Sequence, residues 1–280
     1  MYVHLLRIQK LAVWERPGSG PPILFTHATG FHARLWDSII KDLPDRHCFA
    51  IDLRGHGRSD KDFESYSWRR FGQDTAMVAR ELGLSGAVGV GHSIGGHAMA
   101  LAASMEPVAF SRLLLVDPVI HSPEWYDGAP TRVEFIARRK RHWKSAEEMF
   151  ERFRDRLPFS AWKPGILRDY CQFGLLPEGD GFVLACPPEI EATIYEHSNW
   201  PDADISQDVA KIQAFTTVLR SAKLMTKEFF DLSASATDPN LASRMPHAQD
   251  IFLEGASHFI PMEHPELVIN HLGDVAKSPP

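Results

Sequence analysis

Fully apolar runs alternate with amphipathic ones along the first 118 residues. Residues 3–8 and 10–14 read as a strand pair. Pro21-Pro22 opens an apolar strand at 23–26, followed by the loop His27-Ala28-Thr29-Gly30-Phe31. Residues 34–42 carry apolar positions at Leu35, Trp36, Ile39 and Ile40, the spacing of one helix face. A strand at 48–51 runs into the polar, glycine-punctuated loop 52–60. An amphipathic helix is predicted from Trp68 to Leu82, stopped by Gly83. Strands at 86–90 and 112–116 enclose helix formers at 96–103. Strands that are apolar throughout, separated by helices, predict a mostly parallel sheet covered on both faces, the α/β class.

The alternation breaks at Asp117-Pro118. Residues 119–204 are aromatic-rich and mainly helical in pattern, with charged stretches at 138–156. Strand-like segments return at 216–219 and 250–253, and a last helix is predicted at 265–275. Residues 1–118 and 205–280 therefore form one sheet domain, and 119–204 an insertion into it.

The insertion's run Arg138-Arg139-Lys140-Arg141 reads as the wet face of a helix rather than a binding patch. With a net charge of −6 and no longer basic block, nucleic acid is not expected as a partner. No apolar run approaches a membrane span, and Arg7, Lys10 and Glu15 interrupt the N-terminus, so a soluble cytoplasmic protein is expected. Cys48, Cys171 and Cys186 form no CxxC and read as reduced and non-catalytic. Neither a metal-binding constellation nor a complete GxGxxG loop appears, so no cofactor is expected.

The chemistry centres on Gly91-His92-Ser93-Ile94-Gly95. A strand precedes this pentapeptide and a helix follows it, the layout of a nucleophile elbow. Glycines on both sides let the backbone bend sharply and lift the Ser93 hydroxyl clear of the sheet. A serine nucleophile needs a base and an acid that orients the base. Of 14 histidines, His258 is the best candidate, in a small-residue loop just past the last strand. Asp117, at the end of the strand after the nucleophile helix, fits the chain order Ser, acid, His; it also reads as a turn residue before proline. The oxyanion donors are expected to be the backbone N–H groups of Ile94 and Thr29. His27 reads as structural, and the positions of His92 and His97 come with the elbow.

Together these segments resemble the α/β-hydrolase superfamily. The resemblance rests on His27-Ala28-Thr29-Gly30-Phe31, Asp52-Leu53-Arg54-Gly55-His56-Gly57-Arg58-Ser59, Gly91-His92-Ser93-Ile94-Gly95-Gly96 and Gly255-Ala256-Ser257-His258-Phe259. It implies an α/β-hydrolase fold in which 119–204 form a helical cap over the site. The chain departs from the family pattern twice. His27-Ala28 stands where His-Gly is usual, and Met225 stands about where most members carry the triad aspartate. A subset of the family moves that acid to the place Asp117 occupies, which favours it over Asp231, Glu228 or Asp238.

The resemblance implies a serine hydrolase acting on a small, mostly apolar ester or lactone, its cap carrying Trp125, Tyr126, Trp143, Trp162 and Phe173. Carbon–carbon bond hydrolysis by the same triad, and a small-molecule binding protein or receptor with vestigial catalysis, are the alternatives. The natural substrate and the oligomeric state, including a homodimer, stay open.

Overall fold

The computed structural model describes residues 4–128, 133–222, 224–226 and 231–275. An eight-stranded sheet is built from β1 (His4–Ile8), β2 (Leu11–Arg16), β3 (Gly20–Thr26), β4 (Arg46–Asp52), β5 (Ala87–His92), β6 (Phe110–Val116), β10 (Phe215–Ser221) and β11 (Ala248–Leu253). The order is β1-β2-β4-β3-β5-β6-β10-β11. The strands from β4 to β11 run parallel, and β2 joins them antiparallel to β4. This is the expected α/β architecture.

The apolar runs show why both faces need cover. Along β3, Ile23 and Phe25 point to one face and Leu24 to the other. On the first face they meet Trp36, α1 (Asp37–Ile40) and α9 (Pro265–Val275) through Ile39, Val268 and Leu272. On the second, Leu24, Leu113 and Leu115 pack against α2 (Trp68–Glu81) and α3 (Ile94–Met105) through Phe71, Met99 and Leu101. Removing one of the buried aromatics, Phe25 or Trp36, to alanine costs about 3–5 kcal/mol. Helix α2 ends as its sequence dictates, with Gly83 just beyond it at φ +63°.

Between β6 and β10 the chain passes through α4 (Glu134–Ala137), α5 (Ala146–Phe153), α6 (Pro164–Phe173), α7 (Pro188–Glu196) and α8 (Ser206–Val209). It is less helical than its pattern implies: β7 (His142–Trp143), β8 (Leu175–Glu178) and β9 (Gly181–Leu184) form a small antiparallel sheet. The β8–β9 hairpin turns on Gly179-Asp180. Gly179 takes φ +56° at the first loop position, where a type II′ turn calls for glycine.

The basic run departs from expectation as well. It lies in the turn and extended chain between α4 and β7, not on a helix face. Arg139 is turned inward onto Glu191 of α7 and the Tyr170 hydroxyl, while Arg141 pairs with Glu189 and Lys140 with Glu148. Acidic partners 52, 48 and 8 residues away absorb these charges.

An aromatic seam joins this segment to the loops at the end of the sheet. Trp162 lies 5.4 Å from Phe31 and 5.5 Å from Phe259 between ring centres, and Tyr170 lies 5.6 Å from both Phe31 and Trp162. Backbone ties reinforce it: Lys163 N–H donates to Met262 O, Trp68 Nε1–H to Ile194 O and His97 Nε2–H to Ala203 O. Among the described residues no helix is long and apolar enough to cross a membrane.

Candidate active site

Strand β5 delivers the chain to Ser93 and α3 carries it away, with nothing between. Ser93 bridges them at φ 59°, ψ −124°, a backbone region that costs a non-glycine residue about 1–3 kcal/mol. The surroundings hold it there. Ser93 N–H donates to Val116 O, and Ser93 O accepts from the N–H groups of Gly96, His97 and Val119. Close approach explains the glycines. A Cβ on Gly95 would come within 2.6 Å of Thr26 O and His27 O, and one on Gly91 within 2.4 Å of Gly95 O.

The site's second strained residue is Asp117, at φ 42° just past β6. Its N–H donates to Leu219 O at 2.7 Å. Its carboxylate is fully buried and accepts from Ser221 N–H (2.8 Å), Ser221 Oγ (3.1 Å), Ser235 Oγ (2.7 Å) and Thr237 Oγ1 (3.5 Å). His258 Nδ1–H completes the set at 2.6 Å from Oδ2. Burial alone would raise the carboxyl's pKa. The hydrogen bond and charge of His258, with Ser221 and Ser235, outweigh it and hold Asp117 below the usual carboxylate range.

With Nδ1 committed to Asp117, the ring of neutral His258 presents a bare Nε2. His258 lies beside the elbow: its carbonyl accepts from His92 Nε2–H, and its ring centre is 5.0 Å from that of His92. Both Ser93 and His258 keep a small exposed fraction, 6% and 8%. The structure thus gathers Ser93, Asp117 and His258 at the carboxyl ends of β5, β6 and β11.

The competing acids go elsewhere. Asp231 accepts from the N–H and hydroxyl of Ser233, and Asp238 binds Arg244 and the Asn240 N–H. Glu228 lies outside the described residues. Met225, in the stretch after β10, donates its N–H to the carbonyl of Ser235, whose own hydroxyl donates to Asp117.

Thr29 lies buried in the loop after β3, and Ile94 is the first residue of α3. In that loop the Gly30 N–H is occupied by His56 Nε2 and the Phe31 N–H by Ala28 O. The N–H groups of Thr29 and Ile94 take no partner among the described residues. His27 donates from Nδ1 to Ala28 O and accepts at Nε2 from Leu53 N–H. Both its nitrogens are spent on backbone, and burial holds the ring neutral with a pKa near 4.

Sequence reasoning did not single out Ser221, Ser235 and Thr237, although the run Ser233-Ala234-Ser235-Ala236-Thr237 is a dense row of hydroxyls. It also passed over Glu191, whose carboxylate presses on the loop after β3. A Cβ on Gly30 would meet Glu191 Oε1 at 2.5 Å. Among the described residues no group of three or more His, Cys, Asp or Glu is placed to hold a metal ion.

The sequence signature described as "Alpha/beta hydrolase family" matches residues 23–271, nearly the whole chain. The chain belongs to the alpha/beta hydrolase family. It is 24% identical over 255 residues to the 2-(acetamidomethylene)succinate hydrolase of Mesorhizobium japonicum, a match covering 90% of this chain and 86% of that protein. The solved E-2-(acetamidomethylene)succinate hydrolase superimposes with a TM-score of 0.79 at 20% identity, covering 99% of this chain and all of that one. A solved esterase from Mycobacterium tuberculosis gives a TM-score of 0.74 at 23% identity, covering 99% of this chain and 91% of that one. At these identities the two superpositions speak for a shared alpha/beta hydrolase fold.

Proposed function

We propose that the protein is a serine hydrolase acting on a small, mostly apolar ester or lactone, with residues 119–204 as the cap over its site. One observation carries this reading: a strained, partly accessible Ser93 next to a histidine whose far nitrogen is bonded to a buried, donor-saturated carboxylate.

In this reading Ser93 Oγ attacks the acyl carbon and passes its proton to His258 Nε2. Asp117 fixes the tautomer and steadies the imidazolium; losing that role costs on the order of 10⁴ in turnover. The N–H groups of Thr29 and Ile94 receive the developing oxyanion, each contributing on the order of 10²–10³ in rate. His258 then protonates the leaving group and directs water onto the acyl-enzyme.

The test is turnover of p-nitrophenyl esters of graded acyl length by the parent and Ser93→Ala, with fluorophosphonate labelling of the parent. Because the relative matched over 90% of the chain is a 2-(acetamidomethylene)succinate hydrolase, that compound belongs in the screen. Turnover that disappears with Ser93→Ala supports the reading. No labelling and no turnover of any acyl length would count against it in favour of a binding protein.

A further inference from the structure

We propose that His92 is a positioning residue that ties the backbone of the base to the elbow carrying the nucleophile. The proposal rests on the triad reading above and assigns work to a residue that reading leaves idle. His92 is fully buried at the end of β5, one residue before Ser93, and its Nε2–H donates to the carbonyl of His258 at 2.8 Å. A carbonyl can only accept, so the proton sits on Nε2 and Nδ1 is bare. That Nδ1 is buried and has no hydrogen-bond partner among the described residues.

An orphaned buried acceptor is a net cost to the folded state. A methionine or leucine would fill the same space without that cost, so packing alone does not account for a histidine here. The donating end supplies what an apolar side chain lacks. His258 N–H donates to Ser233 O at 2.9 Å, its C=O accepts from His92, and its ring is bonded to Asp117. Among the described residues, the His92 contact is the hydrogen bond that ties this loop to the strand delivering Ser93, across 166 residues of sequence. Burial, and then the charge of the neighbouring His258, keep His92 neutral with a pKa near 3. The link therefore adds no second cation beside the imidazolium that the mechanism requires.

Loosening this tie lets the base drift relative to the hydroxyl, and a misplacement of about 1 Å costs on the order of 10² in rate. The experiment compares the parent, His92→Leu, His92→Gln and Ser93→Ala by kcat, KM, melting temperature and the low-field proton NMR signal of the His258 Nδ1–H···Asp117 bond. In His92→Leu, kcat should fall roughly 10²-fold with KM within about threefold, and the low-field signal should broaden or vanish. Glutamine places an amide N–H near the position of Nε2, so His92→Gln should recover kcat to within about tenfold and keep the signal.

A purely structural role predicts a lower melting temperature with kcat and the signal of the folded protein intact, and that result overturns the proposal. So does a folded His92→Gln as impaired as His92→Leu. Should the leucine variant fail to fold, the glutamine variant and its signal decide. A parent that lacks both the low-field signal and any sensitivity to Ser93→Ala sinks the triad reading and this one with it; a sensitive parent with an unaffected His92→Leu sinks this one alone.

Discussion

Asp117, at the end of β6, and Glu191, on α7, are both buried carboxylates, and their surroundings push them in opposite directions. Around Asp117 the hydrogen bonds from serines, a backbone N–H and His258 outweigh burial, and its pKa is lowered. Around Glu191 burial outweighs Arg139, and its pKa is raised. The sheet end is built to hold a negative charge at little cost to itself. The segment between β6 and β10 holds its carboxylate with one guanidinium and bears the desolvation. Changes at the first site should therefore show chiefly in turnover, and changes at the second chiefly in stability.

The comparison breaks if the groups gathered at the sheet end do not act as a unit. Ser93→Ala, His258→Ala and the double variant should each lower kcat by roughly 10⁶, the second change adding little to the first. Steady-state kinetics on the best p-nitrophenyl ester checks this, and losses that multiply would contradict it.

On the other side, Arg139→Ala leaves Glu191 buried without a partner. Denaturant unfolding should show a loss of about 3 kcal/mol, much of it returned when Glu191 is also made apolar, as in Arg139→Met/Glu191→Leu. A single variant as stable as the parent would mean that the clamp does not hold the segment down.

Acid sharpens the contrast. His27, His32 and His97 are held near pKa 4 and His92 near 3, each chiefly by burial, and His56 is lowered well below its usual value for the same reason. Below about pH 6.5 the unfolded chain binds protons that the folded chain refuses. Stability is therefore full above that pH and falls as pH drops toward 4, by about 1.4 kcal/mol per pH unit for each such histidine. Asp117, with its lowered pKa, extends the loss to lower pH in the same direction. Unfolding free energies measured from pH 7 to pH 4.5 test this; a flat profile would contradict it. The smallest effect is expected at Thr29→Ala. The proposed donor there is backbone, so kcat should change less than about tenfold.

Much of the sheet end was legible in the sequence because its signals are local. Gly91, Gly95 and Gly96 announce a turn that only close packing requires, and continuous apolar runs announce strands buried on both faces. The place of Asp117 beside His258 was legible from its position at the end of the strand that follows α3. The hydroxyls that solvate it were not, because they arrive from residues 221–237 and nothing in their own stretch points back to Asp117. The segment between β6 and β10 was harder to read for a related reason. Arg139 looks like one of four solvated cations until α7 brings Glu191 to it, and a two-residue strand such as β7 leaves no periodicity to detect. His92 looked like part of the elbow's pattern, since its carbonyl partner lies 166 residues away.

The proposed triad turns on Asp117 as its acid. Asp117→Asn keeps the shape of the side chain and removes its charge, and the rate constant for fluorophosphonate labelling of Ser93, measured beside the melting temperature, reports on the triad without a known substrate. A fall of roughly 10³–10⁴ in that rate constant in a protein that remains folded is the predicted result. A folded Asp117→Asn variant that is labelled as fast as the parent would contradict it.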